Sequence, residues 1–331
     1  MPDRDPIERP FALVVALVAF GAWLGGDFFM HEVLSEIAIL SIFAMSLALL
    51  VGQVGMVSMG HAAFFATGAY ATAAFTIHLG WPVFAVLPAA IVVAALLATL
   101  TGIFAIRTGG VFFIMITLAI GQMVHAYLFK ARAFGADDGM GGIPRMDLAW
   151  MGFDSNSPEV FSASVLIIAA MVWFLLRVLV RSPYGAMLLA IHHNEHRLRA
   201  LGGFIFRYKL AAFVIAGAVA GLAGSLTAQH TAFVSPDLGF WTVSGEVLIM
   251  VIVGGMGSLT GAIAGAAVLT LLRHTLSDSS FWQNLGLDSG LASYWQFMMG
   301  VFFIIMVVFA TDGIHGRLQR LWRSVKGSTK G

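Results

Sequence analysis

The chain has 331 residues, of which 59% are apolar or aromatic and only 11% are charged, and its mean hydropathy is +0.90. A soluble fold carries about 45–50% apolar and about 25% charged residues. It cannot cover this excess, so a soluble enzyme, a disordered chain and a coiled coil are excluded, and lipid is the solvent for most of the sequence. A net charge of +1 leaves no basic footprint for nucleic acid. The absence of Cys removes disulfides, thiolate metal sites and Cys nucleophiles.

The apolar runs are continuous and do not alternate, which excludes a transmembrane β-barrel. A spanning helix takes about 20 mostly apolar residues. Windows of that size fall at 11–31, 35–52, 57–77, 83–106, 110–129, 162–181, 210–230, 243–272 and 290–311. The reading is an all-α polytopic membrane protein of about eight to ten helices, in one transmembrane domain spanning 1–331. The first run follows a start diluted by acidic residues and no small-residue cleavage site follows it, so it reads as an uncleaved membrane helix.

Sidedness follows from Lys and Arg. Arg181, Arg197, Arg199, Arg207 and Lys209 place segment 182–209 in the cytoplasm. Arg317, Arg320, Arg323, Lys326 and Lys330 place the C-terminus there, and Arg4 and Arg9 the N-terminus. Segment 130–161, with its Gly-Met-Gly-Gly-Ile-Pro turn at 139–144, falls outside. It reads either as a docking loop for an external partner or as a solvated connector.

The crossing count fails at the far end unless 243–272 is broken. Its 30 residues would make a helix of about 45 Å against a core of about 30 Å. Gly254, Gly255 and Gly257 interrupt it, giving two half-length pieces that enter and return; a single, strongly tilted helix is the competing reading. The aromatics Trp81, Trp241, Trp282, Trp295 and Trp322 sit near span ends, as an interfacial belt does. Gly217/Gly221 and Gly257/Gly261/Gly265 have the small-residue spacing that admits close helix contact.

Within 182–209, Ser182-Pro183 is a helix start, with a capping residue before Pro at the first helical position. Met187, Leu188, Ala190 and Ile191 form an apolar face. Asn194 can cap a second short helix that reaches Leu201 and stops at Gly202-Gly203. Two short helices joined at about a right angle suit a projection that receives a push from a soluble motor. An interfacial helix lying on anionic lipid fits the same residues equally well. His192, His193 and His196 are adjacent, but the i,i+4 pair supplies only two metal ligands, so no metal site is read here.

Polar groups inside a bilayer tend to face a bundle interior or a water-filled path. The candidates are Gln53, Ser58, His61, Thr67, Gln122, His125, Gln229, His230 and Glu246. Interruptions at 52–60 and 254–261 fall one in each half, the pattern that points to a transport site. Gln53, Ser58, His61, Gly255 and Ser258 are therefore favoured as path-lining. Packing and interhelical hydrogen bonds are the alternative, above all for His61. Glu246 either lies at the interface or pairs with Arg273 or His230.

Five segments in this order resemble the permease subunit of branched-chain amino acid ABC importers (the LivM type): Gly52 to Tyr70, Gly110 to Ala119, Gly139 to Pro144, Arg181 to Ser225, and Leu248 to Gly261. The resemblance implies that Tyr184, Gly185, Ala190, Ile191, Asn194, Glu195, Ala200, Leu201 and Gly202 contact an ATP-binding subunit. It also implies two such subunits, a second homologous permease subunit, an external substrate-binding protein, and a place in the bacterial inner membrane with both termini cytoplasmic. The chain departs from the family pattern at His192-His193, where a basic–acidic pair is common, and at Gly203-Phe-Ile-Phe206. No G-x-x-x-x-G-K-[ST] loop is present, so the chain is expected to bind no nucleotide or other cofactor, and ATP hydrolysis falls to the partner subunits. The expected cargo is a branched-chain or other hydrophobic amino acid. Urea or a short amide within the same family, and an ion-coupled secondary transporter outside it, are the alternatives.

Overall fold

The computed structural model describes residues 8–146, 157–284, 286–309, 313–317 and 319–320. Arg4, Trp322, Arg323, Lys326 and Lys330 lie outside them. So do residues 147–156 of segment 130–161.

The helices are α1 (Glu8–Leu24), α2 (Phe28–Ala48), α3 (His61–Ile77), α4 (Val83–Ala105), α5 (Val111–Lys130), α6 (Pro158–Arg181), α7 (Pro183–Ala200), α8 (Ile205–Thr231), α9 (Trp241–Gly254), α10 (Leu259–Ser277), α11 (Ser279–Asn284) and α12 (Trp295–Phe309). Two-residue strands β1 (Met140–Gly141) and β2 (Phe233–Val234) pair antiparallel and tie segment 130–161 to the end of α8. The protein is an all-α polytopic membrane protein. Among the described residues, seven helical segments are long and apolar enough to cross a bilayer: Phe28–Val54, Val83–Ala105, Val111–Lys130, Pro158–Arg181, Ile205–Thr231, Leu259–Ser277 and Ser289–Met306. Helix α1, at 17 residues, α3, also 17, and α9, at 14, are shorter.

The core is built on small residues. Lipid tails are as apolar as Leu, so helices associate by close packing, not by escape from water. On α4, Ala90, Ala94 and Ala98 repeat every four residues, are wholly buried, and lie along α8. A Cβ on Gly221 would come 2.2 Å from the Ala94 Cβ, and one on Gly217 2.5 Å from that of Ala98, so α4 and α8 run antiparallel with backbones almost touching. On its other side α8 runs parallel to α3, with Gly68 against the Gly221 backbone and Thr72 Oγ1 donating to Ser225 Oγ at 2.7 Å. Phe43, Phe64, Phe65 and Phe213 fill the space between.

Two boundaries differ from the sequence reading. The first turn falls at Gly25–Asp27, not at 31–35, so His31, Glu32 and Glu36 lie on α2. Their polarity marks partners and not a loop. His31 Nδ1 is 3.2 Å from Ser162 Oγ, Glu32 takes Arg145 at 3.0 Å and His230 at 3.3 Å, and Glu36 takes Arg273 and His274. The second difference is α3, which begins at His61 and leaves residues 55–60 non-helical.

Segment 243–272 is broken. α9 ends at Gly254 and α10 starts at Leu259, and the two pack as an antiparallel hairpin with Gly254 against Gly261 and Gly265 against Met250. Of the three spaced glycines, Gly261 and Gly265 make the contact. A Cβ on Gly257 would meet nothing within 4 Å, because the residue sits in the turn.

Candidate functional site

Helix α7 stands at one end of the bundle. Ser182 Oγ accepts from Gly185 N–H at 3.4 Å, and Pro183 occupies the first turn, where a missing N–H costs nothing. Gly185 is buried, and a Cβ there would lie 2.1 Å from Val180 O. Leu188 and Ile191 are buried toward the bundle. At Asn194 the backbone leaves helical geometry (φ −160°, ψ 91°), and the side-chain oxygen accepts from Arg197 N–H at 2.9 Å, capping the second piece. The piece closes with Gly202 at φ +83° and Gly203 N–H donating to Leu198 O, the left-handed stop that only glycine makes cheaply.

Two contacts fasten α7 to α8. Tyr184 stacks on Tyr208 at 5.6 Å and donates its hydroxyl to Tyr208 O at 2.9 Å. Burial, with Tyr208 beside it, pushes the Tyr184 phenol up to about 12, so it stays neutral. Glu195 pairs with Lys209 and, one helical turn on, with Arg199 at 2.8 Å. Burial alone would raise the Glu195 carboxyl, but donation from Lys209 and the charges of Lys209, Arg199 and His196 outweigh it and hold it below the usual carboxylate range. Of the expected coupling residues, Gly185 and Ile191 are buried, Tyr184, Ala190 and Glu195 are half-buried, and Asn194, Ala200, Leu201 and Gly202 are exposed.

The two chain breaks meet beneath α7. Helix α2 ends in a π-turn, Leu49–Val54, closed by Gly55 at φ +75°. Such turns are rare and cluster at functional sites. A Cβ on Gly52 would lie 2.1 Å from Met256 O in the α9–α10 turn. Gly255, at φ +113°, lies against Gly313. Ser258 caps α10, accepting from Gly261 N–H at 3.1 Å. The fold thus brings the segment carrying Gln53 to the one carrying Gly255 and Ser258.

Ser58 and His61 are both buried. His61 is fully buried, stacks on Phe43 at 5.6 Å, and lies 2.8 Å through Nε2 from Ser46 Oγ. The Ser46 hydroxyl donates to Phe43 O at 2.6 Å, so His61 Nε2–H is the donor to it. The adjoining α3 start reaches α9 through Ala62 N–H donating to Ser244 Oγ at 2.8 Å. A cleft of about 510 Å³ opens beside α7, lined by Val57, Gly110, Phe113, His193, Asn194 and Lys209 among others.

At the opposite end, Glu246 lies 3.7 Å from Arg273, one of its two expected partners, while His230 sides with Glu32. His125 Nδ1 lies 3.0 Å from Pro236 O. Sequence reasoning missed the pairing of Lys209 with Glu195, the junction at Gly52 and the two carboxylates of α2. The signals for Gly52 were its place at the head of the Gly52–Tyr70 motif and of the interruption at 52–60.

A family model described as "Branched-chain amino acid transport system / permease component" matches residues 29–307. The high-affinity branched-chain amino acid transport system permease protein LivM of Escherichia coli is 27% identical over 99% of this chain and 80% of its own length. The fructose import permease protein FrcC of Rhizobium meliloti is 26% identical over 78% of this chain and 74% of its own. The ribose import permease protein RbsC of Haemophilus influenzae is 23% identical over 92% and 93%. No solved structure matches the chain.

Proposed function

The chain belongs to the branched-chain amino acid transport permease family, and from that premise we propose that it is a permease subunit of an ATP-binding-cassette importer for branched-chain or other hydrophobic amino acids. The observation that carries the cargo class is the full-length similarity to LivM, which covers 99% of this chain. In this reading α7 faces the cytoplasm and meets an ATP-binding subunit through its exposed second piece. Two such subunits, a second related permease chain and an external binding protein complete the importer, and this chain binds no cofactor itself. The external loop and the β1–β2 pair face the binding protein. Closure of the ATP-binding subunits moves α7, and the bundle passes that movement to a path lined by Gln53, Ser58, His61, Gly255 and Ser258. The physical support is the stiffness of the projection, which is capped at both ends and at its kink and bolted to α8 by Tyr184 and Glu195.

The test is vesicle uptake by the complex assembled with its ATP-binding subunits and binding protein. Leucine, isoleucine or valine should accumulate only with ATP and the binding protein present. Accumulation of fructose or ribose instead, the cargo in the names of two relatives, would overturn the amino acid reading. Gradient-driven uptake by this chain alone would overturn the importer reading.

A further inference from the structure

We propose that His192 is a positioning residue that ties α7 to the point where the two chain breaks meet, so that a displacement of α7 moves both breaks together. The inference rests on the importer reading for its functional consequence, though its geometry stands without it.

His192 Nδ1 lies 3.2 Å from Gly52 O. A carbonyl only accepts, so Nδ1 carries the proton. The bond fills a vacancy that the π-turn creates. The α-helical partner of Gly52 O would be Met56 N–H, which donates instead to Leu50 O at 3.1 Å. Gly52 O is thus one of the end carbonyls a helix leaves for an outside donor. The imidazole ring also rests against Gly55, where a Cβ would come 2.8 Å from its Cδ2. On its other flank Gly52 touches Met256 of the α9–α10 turn, and that turn touches Gly313. His192 therefore grips a backbone junction that holds α2, α9 and α10 at once. One helical position earlier, Ile191 is buried toward the bundle. Apolar contact of that kind resists separation but slides, whereas a hydrogen bond fixes distance and direction. His193, exposed and stacked on His192 at 6.0 Å, makes no such contact and serves as the internal control.

The experiment compares solute taken up per ATP hydrolysed in the reconstituted wild-type complex, His192→Ala, His192→Asn and His193→Ala. His192→Ala should lower the ratio roughly three- to tenfold, the span that one hydrogen bond's net worth allows, while ATP hydrolysis continues. His192→Asn, which keeps an N–H donor at the same branch, should restore most of the loss, and His193→Ala should match wild type. A wild-type ratio in His192→Ala, or equal loss in the Ala and Asn variants, overturns the proposal. If His192→Ala does not assemble, His192→Phe keeps the ring against Gly55, lacks the donor, and is judged by the same ratio. Amide hydrogen exchange separates this proposal from the importer reading. Exchange at Gly55 and Met56 should quicken in His192→Phe and not in His193→Ala whatever the solute, and unchanged exchange overturns the link even if transport is confirmed.

Discussion

Single residues at the α7 end carry a pH dependence of stability. Glu195 is held ionised by Lys209 and Arg199, so its folded pKa lies below its unfolded value of about 4.3. A depressed carboxylate contributes stability that is fully present above the unfolded value and lost as pH falls through the folded one. Glu195→Gln should therefore melt below wild type at pH 6 in detergent, and the gap should shrink progressively below about pH 4. A gap that widens in acid contradicts the assignment. Asn194, Ser182 and Gly202 were legible as caps because a cap is a local choice among a few residue types. Lys209 was legible only as a positive charge. Its partner lies 14 residues away across a turn, and no periodicity announces that pair.

Elements are held by close approach, and the same chemical change has unequal consequences at two glycines. Ala favours helix over Gly by about 1 kcal/mol. At Gly221, however, the new methyl would lie 2.2 Å from the Ala94 Cβ, with backbone atoms of Ala90 and Phe64 also near. Gly221→Ala should destabilise by about 1–3 kcal/mol, the range for overpacking a tight contact. Gly257→Ala meets nothing within 4 Å and should stay within about 0.5 kcal/mol of wild type. Thermal unfolding of the two purified variants decides between them, and equal Tm values would refute the packing argument. The spacing of four identified Gly217, Gly221, Gly261 and Gly265 as contact residues. It misread Gly257, since spacing does not reveal where a helix has already ended.

At the scale of the whole molecule, the broken segment sets which faces the two ends occupy. α9 and α10 form a hairpin, so the chain turns once more than a single helix over 243–272 would allow. With no Cys in the sequence, single cysteines report sidedness cleanly. Asp137→Cys should react with an impermeant maleimide in intact cells, and His193→Cys only after the membrane is opened. Both positions are exposed at opposite ends of the fold, and equal labelling of the two would refute the orientation. The sequence by itself determined that the chain lives in lipid, that it is helical, and where α7 begins, bends and stops; it favoured a break in 243–272 over a tilted single helix, and the structure decided it. Those features arise from composition, run length, and Gly, Pro or capping residues acting on their immediate neighbours. Only the tertiary structure decided that His31, Glu32 and Glu36 belong inside α2, that Gln53 and Ser258 lie on segments that meet, and that His192 touches Gly52. These contacts join residues 140 positions apart at Gly52 and 237 apart at Glu36. A polar side chain in lipid must find a partner, but its own sequence surroundings do not name it, because the partner is chosen by how the helices pack.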